Sequence, residues 1–148
     1  MEQSQDNSFV LEDVRIATME PDRGIVEGDL AVRDGEIAAV GEVPADIKRE
    51  LPTREPDGDV VVPGFVQCHT HLCQTLLRGQ ADDMVLIDWL SEYVWPYEAS
   101  LAPEDLYWSA RLGLAELALG GTTTILDMGT VEGTDAIGEA VEDAGLRA

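Results

Sequence analysis

The spacing of hydrophobic and polar positions changes character once along the chain, near residue 60. Phe9–Ala17 alternates apolar, β-branched and charged residues and predicts a strand. Gly28–Arg33 and Glu36–Val40 are two more such stretches, separated by Asp34-Gly35. Asp-Gly between apolar runs predicts a two-residue hairpin, because a type I′ turn needs positive φ at both central positions. Residues 41–58 carry Pro44, Pro52, Pro56 and Gly58 among charged residues and predict a connector. Residues 1–8 are polar and predict a frayed terminus. Residues 1–59 are therefore expected to form a small all-β unit whose three short strands need partners to bury enough surface.

Beyond that point the runs lengthen. Val60–Val66 is continuously apolar, which predicts a strand buried on both faces. Ile87–Trp95 has helical spacing and is expected to stop at Pro96. Pro103–Leu119 is the clearest helix: Pro103 suits its first position, Glu104 and Asp105 complement the N-terminal dipole, and Gly120-Gly121 ends it. Leu106, Ala110, Leu114, Leu117 and Ala118 form its expected core face. Thr122–Asp127 predicts a second buried strand, and Val131–Ala144 a shorter helix closed by Gly145. Strands separated by helices imply right-handed βαβ units and a parallel sheet, so the expected class of residues 60–148 is α/β. Two parallel strands are an unfinished sheet. The chain is accordingly expected to be a fragment, or one piece of a larger assembly.

Charge narrows the partners. Thirty acidic against nine basic residues give a net charge of −21, and Lys48 is the only lysine. A basic footprint for nucleic acid is missing, as is one for anionic membranes. The acids are scattered, which points to a wholly acidic, halophile-like surface. No apolar run reaches the length of a membrane-spanning helix, and the N-terminus lacks a cationic and apolar leader. Cys68 and Cys73 do not make a disulfide scaffold. A reduced, cytoplasmic protein is the expectation; an oligomer is compatible with it.

Candidate chemistry is concentrated in one place. The only two histidines, His69 and His71, form a His-x-His at the end of the Val60–Val66 run. Alternation along a strand puts both on one face, close enough to share a metal ion. A zinc site needs at least three protein ligands, and these supply two. Cys68 points to the other face. Cys73 is in phase only if the strand continues past His71, where the sequence looks like a turn into a helix. Asp127 ends the second strand, where capping nearby backbone is the favoured role. Trp89 and Trp95 are weighed as pocket walls against core residues, with core favoured. Arg78 is weighed as an anion site against an ion pair, with the ion pair favoured.

Pro63-Gly64-Phe65-Val66 before His69-Thr70-His71, followed by Thr75-Leu76-Leu77-Arg78-Gly79, resembles the first barrel strand of the amidohydrolase superfamily. The branch it resembles contains S-adenosylhomocysteine/5′-methylthioadenosine deaminases and chlorohydrolases. The likeness continues through Asp88-Trp89-Leu90, Trp95-Pro96-Tyr97-Glu98, Gly121-Thr122-Thr123-Thr124 and Asp127-Met128. It implies the first strands and helices of a (β/α)₈ metal-dependent hydrolase barrel, preceded by part of a small β-sandwich. By position it implies His69 and His71 as ligands of one divalent metal, zinc first, with iron(II) or manganese(II) as alternatives. It implies Glu98 as the carboxylate that holds ribose hydroxyls, and Gln74 as a substrate-facing side chain where the adenosine-type deaminases carry an apolar one. The implied reaction is hydrolytic deamination of an adenosine-type nucleoside: S-adenosylhomocysteine, 5′-methylthioadenosine or 5′-deoxyadenosine. Alternatives are another ring aminohydrolase or chlorohydrolase acting on guanine, cytosine or triazine, or a non-catalytic metal-binding remnant. The family's later histidines, its glutamate–histidine pair and its last aspartate have no counterpart here, so no catalytic residue is expected within the chain and activity of the chain alone is not expected.

Overall fold

The computed structural model describes residues 7–56, 58 and 60–148. It is a mixed α/β chain with two compact units, Met1–Pro63 and Gly64–Ala148.

In the first unit, β1 (Phe9–Ala17), β2 (Ile25–Arg33) and β3 (Glu36–Gly41) form an antiparallel meander. Asp34 and Gly35 have φ of 52° and 81°, as the hairpin turn requires. The turn is tied down: Asp34 N–H donates to Ser8 Oγ (2.8 Å) and Gly35 N–H to the Asn7 carbonyl (2.9 Å). Asn7 and Ser8 are thus anchored rather than frayed, because the turn's outward N–H groups need acceptors; the rest of the predicted frayed terminus, residues 1–6, lies outside the described residues.

Residues 41–58 are more than a connector. They contain α1 (Ala45–Glu50) and β4 (Thr53–Arg54), whose strand pairs with β1 in parallel. Pro44 stands just before α1, and Ile47 and Leu51 pack on the buried Val10, Ala31 and Val43. That apolar anchorage outweighs the turn-forming composition. Lys48 reaches from α1 to Asp29 on β2 and lies 3.5 Å from Glu12 on β1.

The apolar run Val60–Val66 is not one strand. β5 (Val60–Val61) adds to the first sheet beside Arg15-Ile16, while β6 (Phe65–Thr70) begins the second unit. Pro63 and Gly64 break it, since proline has no N–H for a ladder and glycine weakens a strand interior.

In the second unit β6 pairs in parallel with β7 (Thr122–Asp127), as the two-strand pattern predicts. Their burial differs from expectation. Phe65, Val66 and Leu126 stay exposed and Ile125 is the buried residue of β7, because among the described residues these strands pair with each other and have only one covered face. Arg147 makes a parallel bridge to Thr124, on the β7 side of the sheet. The core lies between β7, α4 (Pro103–Leu119), α5 (Thr134–Ala144) and a 3₁₀ turn, Leu72–Leu77. Leu106, Ala110 and Leu114 are buried there and Leu117 partly so, whereas Ala118 is exposed; the buried stripe runs instead through Ser109 and Gly113. Ser109 is accommodated because its hydroxyl lies 3.0 Å from each of the Leu72 and Cys73 carbonyls. At Gly113 a Cβ would stand 2.7 Å from Thr75 Oγ1, so the missing side chain lets the 3₁₀ turn lie against α4.

The helix expected to stop at Pro96 does not. α2 (Leu86–Trp89) runs through a π turn, Leu90–Val94, into α3 (Trp95–Ser100). Proline clashes with the carbonyl four residues back and donates no N–H. The wider π register places Pro96 in the first turn of the next segment, where neither defect matters, and carries the helix on to Glu98.

Candidate metal centre

β6 ends at Thr70, so His69 is its penultimate residue and His71 the first beyond it. His71 leaves the strand at φ −135° and ψ 80° and opens the 3₁₀ turn. Their rings stand edge to face with centroids 5.0 Å apart, and the two Nε2 atoms are 3.2 Å apart. His69 is exposed and His71 half-buried.

Between these histidines Thr70 points the other way, and Asp127 secures the turn from β7. Its Oδ1 accepts from the Leu72 N–H (2.8 Å) and the Thr70 hydroxyl (3.1 Å), and its Oδ2 from the Gly129 N–H (2.9 Å). Asp127 therefore has the backbone-capping role favoured from sequence, and the backbone it caps is the turn that presents His71.

The bite of the pair suits one metal ion. Two imidazole nitrogens on tetrahedral zinc, each about 2.0–2.1 Å from it, stand roughly 3.3 Å apart. Two ligands leave room for more, and among the described residues no third histidine, cysteine or carboxylate converges with them. Cys68 is exposed. Cys73 is fully buried, with Sγ 3.5 Å from Glu98 Oε1 and 3.4 Å from the Gly129 carbonyl. Burial first, and then the neighbouring Glu98 carboxylate, push its thiol up to about 12.

Glu98 and Gln74, distant in sequence, are in contact. Gln74 Nε2 donates to Glu98 Oε1 at 2.7 Å. The Thr130 hydroxyl approaches Glu98 Oε2 at 3.4 Å. Thr130 carried no sequence signal, since it lies in a loop whose packing only the fold decides. A cavity of about 580 Å³ lies beside the 3₁₀ turn, lined among others by His71, Gln74, Arg78, Trp89 and Glu116. It touches neither His69 nor Glu98, so its volume alone does not define a substrate site. Arg78 and Glu116 form a two-pronged ion pair at 2.8 and 2.7 Å, which raises the arginine's pKa and lowers the glutamate's; the ion pair favoured from sequence is the one present. Trp89 lines the cavity, whereas Trp95 is half exposed instead of core.

The model of the amidohydrolase family matches residues 60–148. The chain belongs to the amidohydrolase family. A 5-methylthioadenosine/S-adenosylhomocysteine deaminase of Desulforamulus reducens is 40% identical over 146 residues, covering 96% of this chain and 33% of its own length. A 5′-deoxyadenosine deaminase of Methanosarcina mazei is 39% identical, covering 95% of this chain and 32% of its own length. The crystal structure of an adenosine deaminase from Xanthomonas campestris with bound zinc superposes with a TM-score of 0.79 at 32% identity, over 95% of this chain and 32% of that one. The chain thus spans about a third of the length of these amidohydrolases.

Proposed function

We propose that this chain is the N-terminal part of a metal-dependent aminohydrolase that removes the exocyclic amine of an adenosine-type nucleoside, S-adenosylhomocysteine, 5′-methylthioadenosine or 5′-deoxyadenosine. β6 and β7 are then the first two strands of a (β/α)₈ barrel, and the first unit is part of a β-sandwich. The observation that carries the reading is the His69–His71 pair, its Nε2 atoms 3.2 Å apart, at the C-terminal end of a parallel strand. That end of the strands is where barrel enzymes place their chemistry.

His69 and His71 would hold the divalent ion, zinc first, with iron(II) or manganese(II) as the alternatives. Such an ion, when bound, acidifies a water so that hydroxide is available near neutral pH. The chain's own residues do the rest of what belongs to them. Asp127 fixes the turn that carries His71. Glu98 accepts hydrogen bonds from sugar hydroxyls, a role suited to a carboxylate facing a vicinal diol. No side chain of this chain is assigned to the proton transfers. The setting is cytoplasmic; among the described residues no helix is long and apolar enough to cross a membrane.

The test is ammonia release by the full-length protein that contains this chain, assayed on the three nucleosides with a panel of free bases and triazines. Deamination of the nucleosides, reduced by more than about 100-fold in His69→Ala and His71→Ala and accompanied by loss of bound metal, is expected. Activity confined to bases or triazines would replace the nucleoside reading, and unchanged activity in both variants would end the metal assignment.

A further inference from the structure

Among the described residues, Glu98 is the one buried charged side chain. It stands at the fourth position after the π turn, on α3, and among the described residues it has no cationic partner in contact. Its two oxygens are unequally used. Oε1 accepts the Gln74 amide at 2.7 Å and lies 3.5 Å from the Cys73 sulfur. Among the described residues Oε2 has only the Thr130 hydroxyl, at 3.4 Å, a long contact for an O–H donor. A carboxylate has room for about four hydrogen bonds, so the unused capacity of this buried group is concentrated on Oε2. A buried charge with spare acceptor capacity is unfavourable unless something else donates to it.

The cause of the asymmetry is Gln74. It lies in the 3₁₀ turn three residues after His71, so the turn that presents the second imidazole also carries the amide that grips Glu98. Because the carboxylate can only accept, the Gln74 amide must face it with its NH₂, leaving its own carbonyl oxygen free as an acceptor.

We propose that Gln74 is a positioning and specificity residue for the sugar: it locks Glu98 through Oε1, so that Oε2 and the Gln74 carbonyl together accept the two hydroxyls of a vicinal diol. The inference rests on the nucleoside reading above. It differs from a recognition by Glu98 alone, in which both carboxylate oxygens would take the diol. It predicts that an apolar residue at 74 frees the carboxylate to rotate and weakens diol recognition without disturbing the reacting ring.

The experiment uses the full-length protein and compares 5′-deoxyadenosine with its analogue lacking the 2′- and 3′-hydroxyls. Wild type, Gln74→Met, Gln74→Asn and Glu98→Gln are assayed for KM and kcat on both, with far-ultraviolet circular dichroism and metal content as checks of folding. Gln74→Met keeps the volume; Gln74→Asn keeps the amide but shortens its reach. The expected result is a KM on the diol substrate raised about tenfold in Gln74→Met, with little change in kcat and none in KM on the dideoxy analogue, the loss of a single hydrogen bond to a charged group. Gln74→Asn is expected to fall between Gln74→Met and wild type. A Gln74→Met enzyme that keeps the wild-type preference for the diol, while Glu98→Gln loses it, overturns the role of Gln74 and leaves the nucleoside reading intact. Equal losses on both substrates also overturn it, since they mark a structural role. Wild-type protein that deaminates neither substrate overturns the nucleoside reading and this inference with it.

Discussion

Alternation along β6 brings His69 and His71 to one face, and the turn that carries His71 is held from another strand. Asp127 accepts from two backbone N–H groups and one hydroxyl, and two of those donors belong to the Thr70–Leu72 stretch around His71. Removing the carboxylate leaves the Leu72 and Gly129 N–H groups without an acceptor in a partly buried place, at about 1–3 kcal/mol for each unpaired group. Asp127→Ala should therefore lower the melting temperature by several degrees. Asp127→Asn should recover little, because each oxygen accepts from an N–H and an amide NH₂ would face one donor with another. Thermal unfolding followed by circular dichroism decides it, and an Asn variant as stable as wild type would remove Asp127 from this role. The sequence made Asp127 legible as a capping residue at a strand end, but not which backbone it caps, since Leu72 lies 55 residues away.

At the scale of elements, the helices show where local pattern is enough and where it is overruled. α4 appears at its predicted bounds because proline, acidic residues and glycine mark both ends and the apolar stripe is long. α2 and α3 join through Pro96 because a π turn relieves the clash, which no single-residue preference encodes. α1 is held to its sheet by Ile47 and Leu51 and by Lys48, whose ammonium contacts Asp29. The hydrogen bond to Lys48 lowers the Asp29 pKa below 3.8, and the hydrogen bond to Asp29 raises the Lys48 pKa above 10.5. The lowered Asp29 contributes stability above its unfolded pKa, lost as pH falls through its folded value. The raised Lys48 contributes stability below its unfolded pKa, lost as pH rises through its folded value. A Lys48→Met variant should thus melt slightly below wild type across the neutral range. The difference should close in acid below 3.8 and in base above 10.5, and it should shrink with added salt because the ammonium is solvent-exposed. A gap that persists unchanged in acid would assign it to lost packing of the lysine stem instead.

Over the whole molecule the net electrostatic effect is self-repulsion. A net charge of −21 on 148 residues opposes compaction, and salt screens it over a Debye length of about 3 Å at 1 M against 10 Å at 0.1 M. The expected outcome is a melting temperature that climbs from low salt to molar KCl. A steady fall over that range would show that the acidic surface is not matched to high salt.

Composition, turn chemistry and periodicity determined by themselves the hairpin at Asp34-Gly35, the extent of β1, α4 and β7, the α/β character of the second unit and the pairing of His69 with His71. These are local facts: they depend on φ preferences, side-chain alternation and helix periodicity within a few residues. The tertiary structure decided the rest. It split Val60–Val66 between two sheets, drew α1 and β4 out of a stretch that reads as connector, brought Thr130 to Glu98, and joined Gln74 to Glu98 across 24 positions. Those outcomes turn on which buried groups find partners, a competition among segments far apart in the chain that no local pattern records.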